Sequence, residues 1–165
     1  MCKLNKINDN LYKLEENNIK LIFNKIYMPF DISKLYNKYN LSIEINNDND
    51  KYNNIIELNK YKDLENTISS LKLIDKDIKL EDYIFYSNLK NKIYKNNNID
   101  LLRLSIKKSK NLFIKKYFDN NNNEKTIFDI VSKNHYNCEI ECNYIWIKNN
   151  KFGLVLNLNL LQDVK

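Results

Sequence analysis

The residues of this chain best able to do chemistry are cations set among aromatic rings. One group is Lys20, Lys25 and Tyr27. A second is Arg103, Lys107, Lys108, Lys110, Phe113, Lys115 and Tyr117. A third is Trp146, Lys148, Lys151 and Phe152, and Trp146 is the only tryptophan. On extended backbone Arg103, Ser105 and Lys107 share one face, and Phe113, Lys115 and Tyr117 share a face of the segment that follows. A wall carrying both charge and rings suits a single-stranded polynucleotide. Cations neutralise phosphates, and flat rings stack on unpaired bases at ~1–3 kcal/mol each. In the competing reading the rings fill a β core and the lysines solvate its outside. Trp146 divides the two readings. Beside a basic turn at a strand end, it is placed either to stack a base or to cap the core.

Other chemistries fare worse. Phosphate-cradling loops need several glycines, and Gly153 is the only one, so P-loop and dinucleotide-binding readings fail. His135, Cys138 and Cys142 could suggest zinc. On a straight strand the two thiols stand ~13 Å apart at ~3.3 Å per residue, too far for ~2.3 Å Zn–S bonds to one ion. They are expected as small, buried, apolar side chains, and His135 as a surface loop residue. Acidic residues are plentiful but fall in no catalytic or metal-spaced motif; Asp48 and Asp50 read as solvating a loop. The chain reads as a non-enzyme with no cofactor and no metal.

The elements that must position these residues are mostly strands. Residues 136–161 form the dominant pattern, two alternating runs joined by the polar turn Lys148-Asn149-Asn150-Lys151. Cys138, Ile140, Cys142 and Tyr144 are expected on one face of the first run. Leu154, Leu156, Leu158 and Leu160 are expected on one face of the second. Gly153 marks a positive φ, a bulge or the close approach of another backbone. Upstream, residues 18–30 predict a long strand stopped by Pro29, the only proline. Residues 41–45 predict another, and residues 1–17 read as a frayed start or an edge strand around 11–14. Residues 31–39 read as a loop or a short helical turn, 46–54 as a loop and 55–58 as a short strand. Residues 63–73 predict the one helix, from Leu64, Ile68 and Leu71. Residues 75–98, with Tyr83, Phe85 and Tyr86, fit strand or helix equally. Residues 99–106 and 111–118 predict a hairpin with a basic turn. Residues 119–125 read as a solvated loop, and 126–132 as a short strand or turn.

The sum is mainly β, with at least five strands and one helix. Short strands with polar turns point to a sandwich or barrel. A five-stranded barrel interrupted by one helix and extended loops is the OB (oligonucleotide/oligosaccharide-binding) arrangement. The length of 165 residues fits a single domain, residues 1–165. Heavy use of Asn, Lys, Ile and Tyr points to an AT-rich coding sequence. The net charge of +6 favours an anionic partner, nucleic acid first, although codon bias supplies part of it. Three cysteines imply no disulfide framework, and no secretory leader or membrane-length apolar run is visible. A soluble, cytoplasmic protein is expected.

Three stretches, residues 25–45, 99–118 and 138–162, resemble OB-fold single-stranded DNA-binding proteins of large eukaryotic DNA viruses and of the virus-like cytoplasmic linear plasmids of yeasts. The features that carry the resemblance are the Pro29-Phe30 strand end, the Leu101-Leu102-Arg103 strand and the closing hairpin. That hairpin has Trp146, a polar turn, a Phe152-Gly153-Leu154 step and a terminal Leu161-Gln162. The resemblance implies a protein that coats single-stranded DNA during viral or plasmid replication and hands it to a polymerase or helicase. It implies no cofactor and no membrane partner, and leaves homo-oligomers and RNA open. Trp146, Phe113 and Tyr117 are the expected stacking platforms. Arg103, Lys107, Lys108, Lys110, Lys115 and Lys148 are the expected phosphate contacts. The alternative is a small non-enzymatic β-barrel subunit of a transcription or structural assembly, and the third reading is a nuclease or other enzyme.

Overall fold

The turn at Asn149-Asn150 shows why the closing hairpin forms. Both residues are left-handed, with φ of 52° and 57°. A two-residue hairpin turn of type I′ needs positive φ at both central positions, and Asn tolerates it better than most side chains. In the computed structural model, which describes residues 4–15, 19–35, 38–45, 51–72, 78–94, 96–106 and 116–164, this turn joins β10 (Asn134–Lys148) to β11 (Lys151–Asp163). The strands before them are β1 (Leu4–Asn8), β2 (Leu11–Leu14), β3 (Lys20–Met28), β4 (Ser33–Leu35) and β5 (Lys38–Glu44). After α1 (Lys51–Ser69) come β6 (Ile84–Phe85), β7 (Leu89–Tyr94), β8 (Asn97–Ile106) and β9 (Lys116–Phe118).

Five strands close into a ring in the order β3–β5–β8–β11–β10 and back to β3. All neighbours run antiparallel except β8 and β11, which are parallel. Counted along the chain, the ring runs first, second, third, fifth, fourth. The fold is therefore mainly β and OB-like, with one long helix. Two joints of the ring are thin, each with one paired position: Tyr27 with Glu44, and Asn157 with Ser105. The core fills the ring with Leu21, Phe23, Ile43, Leu102, Leu104, Ile140 and Leu156, all buried. Cys138 and Cys142 are buried among them, and burial pushes both thiols up to about 12.

Bulges interrupt the alternation read from the sequence. The β10–β11 register shifts between Glu141 and Tyr144. Before the shift Tyr136, Cys138, Ile140 and Cys142 are buried; after it Ile145 and Ile147 are. Tyr144 therefore does not share the core face of Cys138, as its spacing suggested. It moves to the outer face, and Trp146 moves with it. Asn143 is buried at the slip, where its Oδ1 accepts the Ile19 N–H at 3.1 Å. On β11 a second shift leaves Asn159 without a ladder partner, so Leu161 rather than Leu160 is buried beyond it. In β3 the slip falls at Lys25, whose φ is 50° and whose N–H donates to Asn137 Oδ1.

Other expectations need correction. The helix begins at Lys51, so residues 51–58 are neither loop nor strand. Asn54, Leu58, Tyr61, Leu64 and Ile68 are its buried stripe, at helical spacing. A polar first member disguised that stripe, and the exposed pair Ile55-Ile56 imitated a strand. The hairpin expected from residues 99–106 and 111–118 is not the pairing seen. Lys116–Phe118 runs parallel to Leu160–Gln162, while β8 is flanked by β5, β7 and β11. Residues 107–115 lie outside the described residues. Residues 31–39 contribute β4, which pairs with β5. His135 is a β10 residue rather than a loop residue, with its ring 5.2 Å from that of Tyr27.

Candidate nucleic-acid interface

The bulge in β10 aims Trp146 outward, where the indole is half-buried. Opposite it on β11 is Gly153. A Cβ added at Gly153 would lie 2.9 Å from Trp146 Nε1 and 2.6 Å from the main-chain oxygen of Tyr86. The indole thus lies across the glycine while a second backbone passes it. Gly153 has no positive φ, so close approach is the reason for this single glycine.

The passing backbone is the segment from Ile84 to Leu89. The Ile84 N–H donates to the Asn150 oxygen and the Tyr86 N–H to the Phe152 oxygen, at 2.9 and 2.8 Å. Asn88 then bridges the thin joint between β8 and β11. Its main-chain oxygen accepts the Arg103 N–H at 3.0 Å, and its Nδ2 donates to the Leu154 oxygen at 2.8 Å. One asparagine therefore ties β8 to β11 where the ladder between them is a single pair. Nearby, the Tyr61 hydroxyl of α1 donates to Glu65 Oε1 at 3.2 Å, and burial raises its phenol pKa. Buried polar groups need such partners, because each one left without costs ~1–3 kcal/mol.

A groove of about 600 Å³ lies on this outer face. Its floor is β5 and β8, with Asn40 opposite Ser105, and Arg103 exposed two pairs along the ladder. One wall is the Tyr86–Lys90 segment; the other holds Trp146, Lys148 and the turn between β1 and β2. Among the described residues every charged side chain that lines it is a cation: Lys38, Lys90, Arg103 and Lys148. Asn8, Asn10, Asn40 and Asn88 add amides. Cations, amides and a half-exposed indole along one open channel form a surface for a polyanion that carries flat rings.

The fold brings Arg103, Trp146 and Lys148 of the expected site residues together here. Tyr117 is not a stacking platform. It is 2% exposed, its hydroxyl donates to Asp163 Oδ1 at 2.8 Å, and burial with Asp163 raises its pKa well beyond the tyrosine range. Parallel pairing of β9 with β11 is what draws it into the core. Phe152 is also buried, edge-on to Phe85 at 5.2 Å. Lys20 lies away from the groove, in an ion pair with Glu139 at 3.0 Å. Lys107, Lys108, Lys110, Phe113 and Lys115 lie outside the described residues.

Sequence reasoning missed Tyr86, Lys90 and Lys38. The signal for the first two was present. Tyr86 and Lys90 repeat the interleaving of ring and cation noticed elsewhere, inside the stretch whose secondary structure was ambiguous. Among the described residues no group of three or more His, Cys, Asp or Glu side chains is placed to hold a metal ion. None of the described helices is long and apolar enough to cross a membrane.

No protein-family model matches the chain, and no curated protein matches it. Solved structures do share the fold. The single-stranded DNA-binding protein from bacteriophage Enc34, in complex with ssDNA, aligns over 99% of this chain and 95% of its own, with a TM-score of 0.59 at 9% identity. A C-terminal truncation of the same phage protein aligns over 99% and 93%, with a TM-score of 0.57 at 11% identity.

Proposed function

We propose that this protein binds single-stranded DNA in the groove between β5, β8 and the β10–β11 turn. The observation that carries the reading is the groove lined by Lys38, Lys90, Arg103 and Lys148, with no acidic side chain among the described residues, around Trp146. It occupies the face formed by the second and third ring strands and the turn between the last two, the face OB folds use for oligonucleotides. The fold shared with a phage protein solved in complex with ssDNA supports the same reading. Arg103, Lys148, Lys38 and Lys90 contact phosphates, and Trp146 stacks on a base. The basic run that follows Ile106, with Lys107, Lys108, Lys110 and Lys115, adds charge, and Phe113 adds a further ring.

In this role the protein is a non-enzymatic coat. It holds single strands extended during replication of a viral or linear-plasmid genome in the cytoplasm, and passes them to a polymerase or helicase. Self-association along the strand belongs to the same proposal. Competition between a labelled oligo-dT and a duplex of equal length tests it. The single strand is expected to win by a wide margin, because stacking requires unpaired bases. Equal affinity would reduce the groove to nonspecific attraction by lysine and return the protein-binding alternative.

A further inference from the structure

Tyr86 is carried into the groove beside Trp146, and its geometry says more than that a second ring is present. The ring is 44% exposed. Its centroid is 6.4 Å from the indole, and the two planes are tilted by 59°. Neighbouring bases stacked along one strand lie nearly parallel and ~3.4 Å apart. Two rings at 6.4 Å and 59° fit no such stack. Each ring can hold one base only when those bases have left each other.

We propose that Tyr86 and Trp146 take two adjacent unpaired bases and part them, so that the groove imposes a kink on the strand at this step. This rests on the single-stranded DNA reading above. Both residues are referenced to one α-carbon, since a Cβ on Gly153 would meet the Trp146 indole nitrogen and the Tyr86 main-chain oxygen at once. The Tyr86 N–H bond to the Phe152 oxygen, at 2.8 Å, fixes that backbone to β11. The sheet therefore fixes the two backbone positions from which the rings project. Two ammonium groups flank the Tyr86 ring, Lys90 Nζ at 5.1 Å and Lys151 Nζ at 5.2 Å from its centroid. An exposed contact of ammonium on a ring is weaker than a base stack. An arriving base takes the ring, and the two ammonium groups turn to the phosphates on either side of the parted step.

The test uses the full chain, Tyr86→Ala and Tyr86→Phe, each first checked for an unchanged thermal melt. Affinity is read by titration with oligo-dT. Parting of bases is read from the circular-dichroism signal of stacked oligo-dA at saturating protein. The unmodified protein is expected to bind oligo-dT and to diminish the oligo-dA stacking signal. Tyr86→Ala weakens oligo-dT binding on the order of 5- to 100-fold and leaves the stacking signal standing at saturation. Tyr86→Phe, which keeps the ring, restores both. A folded Tyr86→Ala that binds and unstacks like the unmodified protein overturns the parting step alone. An unmodified protein that binds neither oligonucleotide overturns the single-stranded DNA reading itself, so the two failures are distinct.

Discussion

Trp146 has one side against Gly153 and the other toward the groove, so its two possible roles are separable by measurement. A fully buried Trp replaced by Ala costs ~3–5 kcal/mol of stability; a half-exposed ring loses only part of that. Trp146→Ala is expected to weaken oligo-dT binding by ~1–3 kcal/mol while lowering Tm by only a few degrees. A variant that melts early yet binds normally, once folded, would return the ring to the core. The sequence showed that Trp146 was special but not which way it faced. The bulge after Cys142 that turns it outward has no Gly or Pro to announce it. At the far loop, Asp119 accepts the Asn121 and Asn123 N–H groups and the Asn123 side-chain amide, all between 2.8 and 2.9 Å. Asp129 accepts the Thr126 N–H and hydroxyl at 2.8 and 3.0 Å. These bonds hold both carboxyls below the usual range, with the Asn123 side chain the first cause for one and the Thr126 N–H for the other. Their folded pKa lies below the unfolded value of ~3.9, so the stabilisation is present above that value and lost as pH falls through the folded one. Amide protection at Asn121, Asn123 and Thr126 should therefore drop below about pH 4, while the ring strands stay protected. Unchanged protection factors would sever the carboxylates from the loop's order.

At the level of elements, α1 makes a buried polar contact to β3 that the sequence hid. Asn54 is 1% exposed; it accepts the Asn24 N–H at 3.0 Å and donates to the Asn24 oxygen at 2.8 Å. It thereby satisfies the backbone of β3 where the bulge at Lys25 breaks the ladder. Asn54→Ala should cost at least ~1–3 kcal/mol, since it leaves a donor and an acceptor without partners. That loss would lower Tm by roughly 2–4 °C per kcal/mol for a chain of this size. An unchanged Tm in a thermal scan would mean that water replaces the amide and that the contact is not structural. The same residue explains why the helix was placed too late: a buried Asn looks like a loop residue until its partner is known. By contrast, β3 and the closing hairpin were legible. Their alternation is long, Pro29 ends one, and the Asn pair turns the other. The pairing of β9 with β11 was not legible, because a parallel partner 44 residues away leaves no local pattern, as Lys116 opposite Leu160 shows.

For the whole molecule, the decisive feature is that the cations converge. The net charge of +6 could be spread evenly over the surface. Instead Lys38, Lys90, Arg103 and Lys148, from four different segments, line one groove with no acid among its described residues. If each neutralises one phosphate, log affinity should fall with log salt at a slope of about −3, at roughly −0.7 per contact on a single strand. Arg103→Ala should make that slope shallower by about 0.7 and weaken all sequences alike. A slope that Arg103→Ala leaves unchanged would remove it from the phosphate path. Trp146 is the only tryptophan, and it lines this groove, so its emission reports on the site directly. The most direct measurement is a titration of the intact protein with oligo-dT at low salt, followed by Trp146 fluorescence. The account predicts saturable quenching that added salt reverses and that an equal length of duplex does not reproduce. Emission that oligo-dT leaves unchanged, or that duplex quenches as strongly, would contradict it.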